Sequence, residues 1–285
     1  MELGSKVSWL PSQLNSAELI VAVVMGVAAF AQALTGFGFA VVSVGALSGL
    51  PWLSNSDLFD VITPVAATLG SVTGVLLLLP SVNRLAWDEI LPLLVPCTLL
   101  TPVGIGLSSI VDPTVSKRAL AILILCFVAY EVFELYFKPP PEASSDGDGA
   151  QEEAAADATG NALQSKNAAL ALGAVAGIFG GAFDVQGPPL VLYSSANRWA
   201  PRRARDNILT VVAINSASVV ALDYFAQPAL LENFYYPYFC LTSLPLVILG
   251  VAAGQAASER INPGLFANVV LLMCLGLGVQ LLTLP

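Results

Sequence analysis

The sequence predicts an all-α polytopic membrane protein built from two homologous repeats, each with one broken or hairpin helix segment followed by three spanning helices. Three observations lead there. Hydrophobic residues make up 56% of the 285 and charged residues only 11%, too few charges to cover a soluble domain of this size. Apolar stretches of about 20 residues, the length that crosses a hydrocarbon core, recur along the chain. The chain also resembles itself at an offset near 150 positions, the mark of an internal duplication.

Residues 1–16 are polar and mixed. The apolar stretch that follows, 17–50, runs well past signal-peptide length and is read as the first membrane segment. Further candidate spans cover 57–79, 89–110, 117–137, 168–197, 206–226, 235–257 and 264–284. Two of these, 17–50 and 168–197, are too long for one straight crossing, and each is interrupted in its middle. The first interruption is Thr35-Gly-Phe-Gly38 and the second is Asp184-Val-Gln-Gly-Pro-Pro189. Glycine and proline there unwind a helix and leave backbone groups unpaired at membrane depth.

The domain layout is therefore a first membrane repeat over 1–137, a disordered acidic linker over 138–167 and a second membrane repeat over 168–285. The linker opens with Pro139-Pro-Pro141 and continues in Ser, Asp, Gly, Glu and Ala, a composition too polar to bury a core. Of the net charge of −9, Glu142, Asp146, Asp148, Glu152, Glu153 and Asp157 supply six, so the acidity says little about the rest of the chain. An offset of 149 places Phe30 on Phe179, Gly38 on Gly187 and Val42 on Val191. One of 147 matches Thr63, Val65, Ala66, Ser71 and Val72 with Thr210, Val212, Ala213, Ser218 and Val219. One of 150 puts Gly104 on Gly254 and Asp112-Pro113 on Asn262-Pro263.

Basic residues vote on the handedness of the duplication, because cytoplasmic loops collect Lys and Arg. If each broken segment crosses once, the repeats are parallel. One side then collects Lys117, Arg118, Arg198, Arg202, Arg203, Arg205 and Arg260, seven of the eleven basic residues. If each is a hairpin, the repeats are inverted, and one side collects Arg84, Lys138, Lys166, Arg198, Arg202, Arg203, Arg205 and Arg260, eight of the eleven. The hairpin reading is favoured. Both readings put loop 198–205 in the cytoplasm and the N-terminus outside, in a multi-pass protein of the cell membrane.

Composition also narrows function. There is no His, and Cys97, Cys126, Cys240 and Cys274 form no Cys-x-x-Cys pair, so no metal site and no cofactor is expected. The four cysteines are read as small buried hydrophobes. Scattered basic residues form no groove-sized patch, so nucleic acid is not an expected partner. Without His, paired deep carboxylates or a Cys motif, an intramembrane enzyme is the weakest alternative.

The interrupted segments carry a resemblance. Gln32-Ala-Leu-Thr-Gly-Phe-Gly-Phe-Ala40, Gly180-Gly-Ala-Phe183 and Gly187-Pro-Pro-Leu-Val-Leu-Tyr193, with Trp199 and Arg205 ahead of the next helix, resemble the TauE/SafE family of sulfite and organosulfur anion exporters. The likeness covers both halves outside the linker. It implies secondary transport of a small sulfur oxyanion or sulfonate across the bilayer. The chain departs from the runs of three glycines that many members carry at the breaks, having Phe39 in one and Asp184 and Gln186 in the other.

No Lys, Arg or His is expected deep in a span, so an anion must be held by neutral donors. Helix N-termini provide them, since their first amides are unpaired and the macrodipole adds about half a positive charge. Thr35 and Gly38 suit an N-cap in the first break, with Gly36 permitting close approach. In the second, Pro188 suits a first helical position after Gln186 or Gly187, although Pro188 and Pro189 lack N–H groups. Gln186 and the amides of Gly187 and Leu190 would then do more. Gln32, Thr68 and Asn215 are expected alongside. Thr68 and Ser71 match Asn215 and Ser218, a pattern that ordinary helix-to-helix hydrogen bonding also produces.

Asp184 is the sharpest single residue. A carboxylate at membrane depth is protonated, paired or functional, which makes Asp184 a candidate for proton coupling. The alternative function is a transporter whose main cargo is a cation or proton held by Asp184. Asp60, Glu131, Glu134 and Asp223 are placed nearer water. Homo-oligomerisation is left open by the sequence.

Overall fold

The computed structural model describes residues 14–48, 50, 61–82, 85–137, 165–226, 235–258 and 263–283. Those residues form ten helices and no strand. In chain order they are α1 (Leu14–Thr35), α2 (Phe39–Leu47), α3 (Thr63–Leu78), α4 (Trp87–Ile110), α5 (Pro113–Phe137), α6 (Lys166–Phe183), α7 (Gly187–Ala196), α8 (Pro201–Ala226), α9 (Tyr235–Ser258) and α10 (Pro263–Thr283). Five described stretches are long and apolar enough to cross a membrane: Glu18–Thr35, Trp87–Ile110, Lys166–Phe183, Arg202–Phe225 and Tyr236–Ser258. Large apolar side chains such as Leu99, Ile110, Phe225 and Leu241 point outward, as a lipid-facing surface requires.

Both long segments are interrupted where the sequence predicts. α1 stops at Thr35 because Gly36 and Gly38 take left-handed backbone conformations, φ 86° and 94°, which glycine adopts without a Cβ penalty. α6 stops at Asp184, a non-glycine residue at φ 55° whose N–H still bonds the Gly180 carbonyl at 2.8 Å, the left-handed close common at helix ends. The acidic linker lies outside the described residues, except at its end. There α6 already starts at Lys166, with the Ser165 hydroxyl accepting the Ala168 N–H at 3.1 Å. The second membrane segment thus begins two residues before the predicted 168, because Ser165 is an N-cap. Asp112 caps α5 in the same way, accepting the Thr114 N–H at 2.8 Å. That bond holds its carboxyl below the usual range.

Glycine contacts fix the direction of the helices. Gly173, Gly177 and Gly181 of α6 lie against Leu93, Cys97 and Thr101 of α4, an advance of four on both chains in the same sense. α4 and α6 are therefore parallel. Glu89 near the start of α4 meets Arg203 and Asn207 of α8, and Thr101 meets Asn215, so α4 and α8 are parallel too. With α6 and α8 pointing the same way, α7 between them runs back. Its ten residues reach about 15 Å, roughly half a hydrocarbon core. α6 and α7 form a re-entrant hairpin with its tip at Asp184–Gln186. In the other half, Gly26 lies against Leu246 and Gly254 against Phe30 and Ala33, so α1 and α9 are parallel. The nine-residue α2 packs back on α1 and on α3.

Candidate functional site between the two helix breaks

The two tips touch. A Cβ on Gly187 would strike the Phe37 ring, and one on Gly36 would meet the Arg205 carbonyl at 2.8 Å. Beside this contact lies a small space lined by Gln32, Phe37–Val41, Gly70, Asp184–Gly187, Val212 and Ser216. Of the residues the sequence singled out, Gln32, Gly38, Asp184, Gln186 and Gly187 are brought together here. Thr35 and Gly36 stand one step behind. The Thr35 hydroxyl is spent on the tip itself, 2.6 Å from the Phe37 carbonyl and 2.9 Å from the Ala31 carbonyl, and it accepts the Phe37 N–H at 3.2 Å. Thr35 thus closes α1 rather than capping α2, whose N-cap is Gly38.

Thr68 and Asn215 do not line the space. Thr68 is 2.9 Å from the Pro64 carbonyl and 2.5 Å from the Tyr236 hydroxyl. Asn215, completely buried, accepts the Thr101 hydroxyl at 2.6 Å behind α6. The residue that reaches the space is its neighbour, Ser216, which sequence reasoning missed. Ser216 donates to Asp184 Oδ1 at 2.7 Å and accepts from Gln186 Nε2 at 3.0 Å, while the same Nε2 lies 3.2 Å from the Val212 carbonyl. Across the space, Gln32 Nε2 donates to the Gly70 carbonyl at 3.3 Å.

The walls differ in sign. Phe39, Ala40 and Val41 form the first turn of α2, where N–H groups have no carbonyl four residues back and the macrodipole is positive. The start of α7 is poorer, as its proline pair foretold. Pro188 and Pro189 have no N–H, and Leu190 already lies beyond the first turn, so Gly187 alone remains. Oxygen is present as well: Asp184 brings a carboxylate to the lining, and Gln32 Oε1 and Gln186 Oε1 are buried without a hydrogen-bond partner, the latter beside Gly180 of α6. Among the described residues no basic side chain lines the space.

Two basic side chains are buried near segment ends, and the expectation that all four thiols are buried needs correction. Lys117, in the first turn of α5, is 2% exposed, and the Arg205 Nε is buried with no hydrogen-bond partner. Long aliphatic stems let both lie along apolar surface near segment ends. Cys97 and Cys274 are buried as expected, but Cys240 is half-buried and Cys126 exposed. Asp223 is half-buried near the end of α8, Asp60 lies outside the described residues, and the side chains of Glu131 and Glu134 are likewise undescribed. Among the described residues no group of three or more His, Cys, Asp or Glu could hold a metal ion.

Ten helices, long outward-facing apolar stretches and half-length broken helices meeting inside the bundle define a polytopic α-helical membrane protein of transporter type. The family model described as Sulfite exporter TauE/SafE matches residues 20–281, and the chain belongs to that family of membrane transport proteins. Comparison with curated proteins and with solved structures gives no match.

Proposed function

We propose that the chain is a secondary transporter of sulfite or a small organosulfonate, bound between the two hairpin tips. The anionic oxygens sit on the free N–H groups of Phe39, Ala40 and Val41, with Gly38 keeping side-chain bulk out of the approach. One observation carries this reading: residues of both breaks line one space, and the unpaired first turn of α2 faces it. Asp184 is the coupling group. A carboxylate beside a bound anion needs a positive counter-charge, which ties anion movement to a cation or proton.

The architecture suits alternating access by an inverted duplication of 1–137 and 168–285. Exchanging α1–α5 with α6–α10 maps the extensive α1–α9 packing onto α6–α4, and α8–α4 onto α3–α9. It also maps α3–α8 and α5–α10 onto themselves. Since α9 returns antiparallel to α8, and α1 is parallel to α9, α1 and its counterpart α6 point in opposite directions. This supports the arginine-rich start of α8 in the cytoplasm and the N-terminus outside.

Ala40→Pro tests the site. Position 40 matches Pro189 at the offset of 149, so proline fits a first helical turn here and removes one N–H. Sulfite affinity, read from thermal stabilisation of the purified protein, is expected to fall about tenfold or more, since a hydrogen bond to a charged group contributes roughly 1.5–3 kcal/mol. Unchanged affinity in a protein of unchanged thermostability removes the α2 amides from the site.

A further inference from the structure

Behind the space, polar side chains of α4, α8 and the second tip are strung together in a line that ends on Asp184. The Val212 carbonyl fixes the sense of the Gln186 amide. A carbonyl only accepts, so the atom 3.2 Å from it is Nε2, which also donates to Ser216 Oγ at 3.0 Å. Gln186 Oε1 is thereby turned toward α6, where it is buried without a donor. Asn215 Nδ2 is the converse, a buried donor without an acceptor. Both lie over the bare Cα of Gly180, where a Cβ would strike Asn215 Nδ2 and stand 3.2 Å from Gln186 Oε1. Left apart, each is costly in a buried place, and the terminal torsions of both amides are soft enough to close the gap. With Nδ2 on that side, Asn215 turns Oδ1 to Thr101, whose hydroxyl donates to it at 2.6 Å.

We propose that Asn215 Nδ2 donates to Gln186 Oε1 over Gly180, completing a one-way relay in which Thr101 and Asn215 are positioning residues for the Asp184 carboxylate. The proposal rests on the reading of Asp184 as the coupling group. Every donor in the relay points the same way: Thr101 to Asn215, Asn215 to Gln186, Gln186 to Ser216, and Ser216 to Asp184 Oδ1 at 2.7 Å. Aligned donors polarise one another, and a donor at the end of the line favours the charged carboxylate over the neutral acid. The relay thus holds Asp184 in one orientation and sets how readily it takes up a proton. Gly180 is the window through which it passes, since any side chain there would part the two amides. α1, α2 and α3 bring no charged group to the lining of the space. α8 brings Asp223 two turns beyond Ser216, a like charge that opposes ionisation of Asp184, and Arg205 three turns before Ser216. α4 brings the Cys97 thiol, against Gly177, and Glu89, which is tied to Arg203; α7 brings the Tyr193 phenol.

The test is sulfite transport in proteoliposomes measured against pH, equal on both sides of the membrane. The limb of the wild-type profile that Asp184→Asn abolishes marks the titration of Asp184. Thr101→Val keeps the shape of the side chain and removes its hydroxyl, and Gly180→Ala parts the amides. In both, that limb is expected to move to higher pH by about a few tenths of a unit or more, because the charged carboxylate loses support. Thr101→Ser restores the hydroxyl and should return the limb to its wild-type position. Thr101→Val added to Asp184→Asn should leave the profile of the single variant unchanged. Unfolding temperature in detergent reports separately on folding. A Thr101→Val protein that is less stable but keeps the limb in place shows a structural role alone and overturns the relay. So does a limb that moves to lower pH; in either case Asp184 keeps its role. An Asp184→Asn profile identical to the wild type's removes the coupling role, and the relay with it.

Discussion

At the scale of the residue, Asp184 combines three roles in one position. Its backbone ends α6 in a left-handed conformation, its carboxylate accepts from Ser216, and it faces the first turn of α2 across the tip contact. Asp184→Asn preserves the size and the hydrogen bond to Ser216. The variant is therefore expected to bind sulfite and to lose acceleration of transport by an ion gradient, measured in proteoliposomes with and without an imposed gradient. Continued drive by a gradient would take the coupling role from this residue. Asp184, Gln186, Gly187, Gln32 and Gly38 were legible in the sequence because helix breakers and polar side chains are costly inside an apolar run, so they stand out wherever they persist. Ser216 was not. Matching Thr68 with Asn215 followed the proposed duplication, and one residue along a helix turns a side chain by about 100°, which is the difference between the back of α6 and the space itself.

At the scale of the element, the helices depend on close approach more than on interlocking bulk. Gly173, Gly177 and Gly181 let α6 lie directly on the carbonyls of α4, and Gly26, Gly250 and Gly254 do the same between α1 and α9. Small residues serve this purpose in membranes, where the solvent is as apolar as the side chains. Gly177→Val would drive methyl groups into the Cys97 carbonyl. It is expected to lower thermal stability in detergent by about 1–3 kcal/mol or more, as overpacking does, while an Ala at Gly106, where a Cβ has open space, should leave it nearly unchanged. Equal effects at the two positions would contradict the packing. The spans themselves were legible from hydropathy, with ends within a few residues of those observed. The hairpin character of the breaks was only favoured by the count of basic residues. It becomes visible through contacts such as Thr101 with Asn215 and Glu89 with Arg203, which join residues more than 100 positions apart and leave no local trace in the sequence.

At the scale of the whole molecule, the proposed inverted arrangement makes a topological prediction. Single cysteines in loop 198–205 should be labelled only from the cytoplasmic face, and those in 51–57 only from the other. Labelling of both from one face would contradict inversion. The linker predicts the reverse kind of result. Deleting 142–160 while keeping a short flexible connection should leave sulfite transport intact, because the segment has too little apolar surface to dock; loss of transport in a normally inserted protein would assign it a regulatory part. The contact of Phe37 with Gly187 has an electrical consequence. A ring is pressed on a bare backbone and Phe127 stands edge-on behind it at 5.8 Å, so apolar groups occupy the contact between the tips. On the proposed reading, each net charge carried across the membrane past that contact works against about 2.3 kcal/mol per 100 mV. If the proposed alternating access holds, the dependence of transport current on voltage reads out the net charge moved in each turnover.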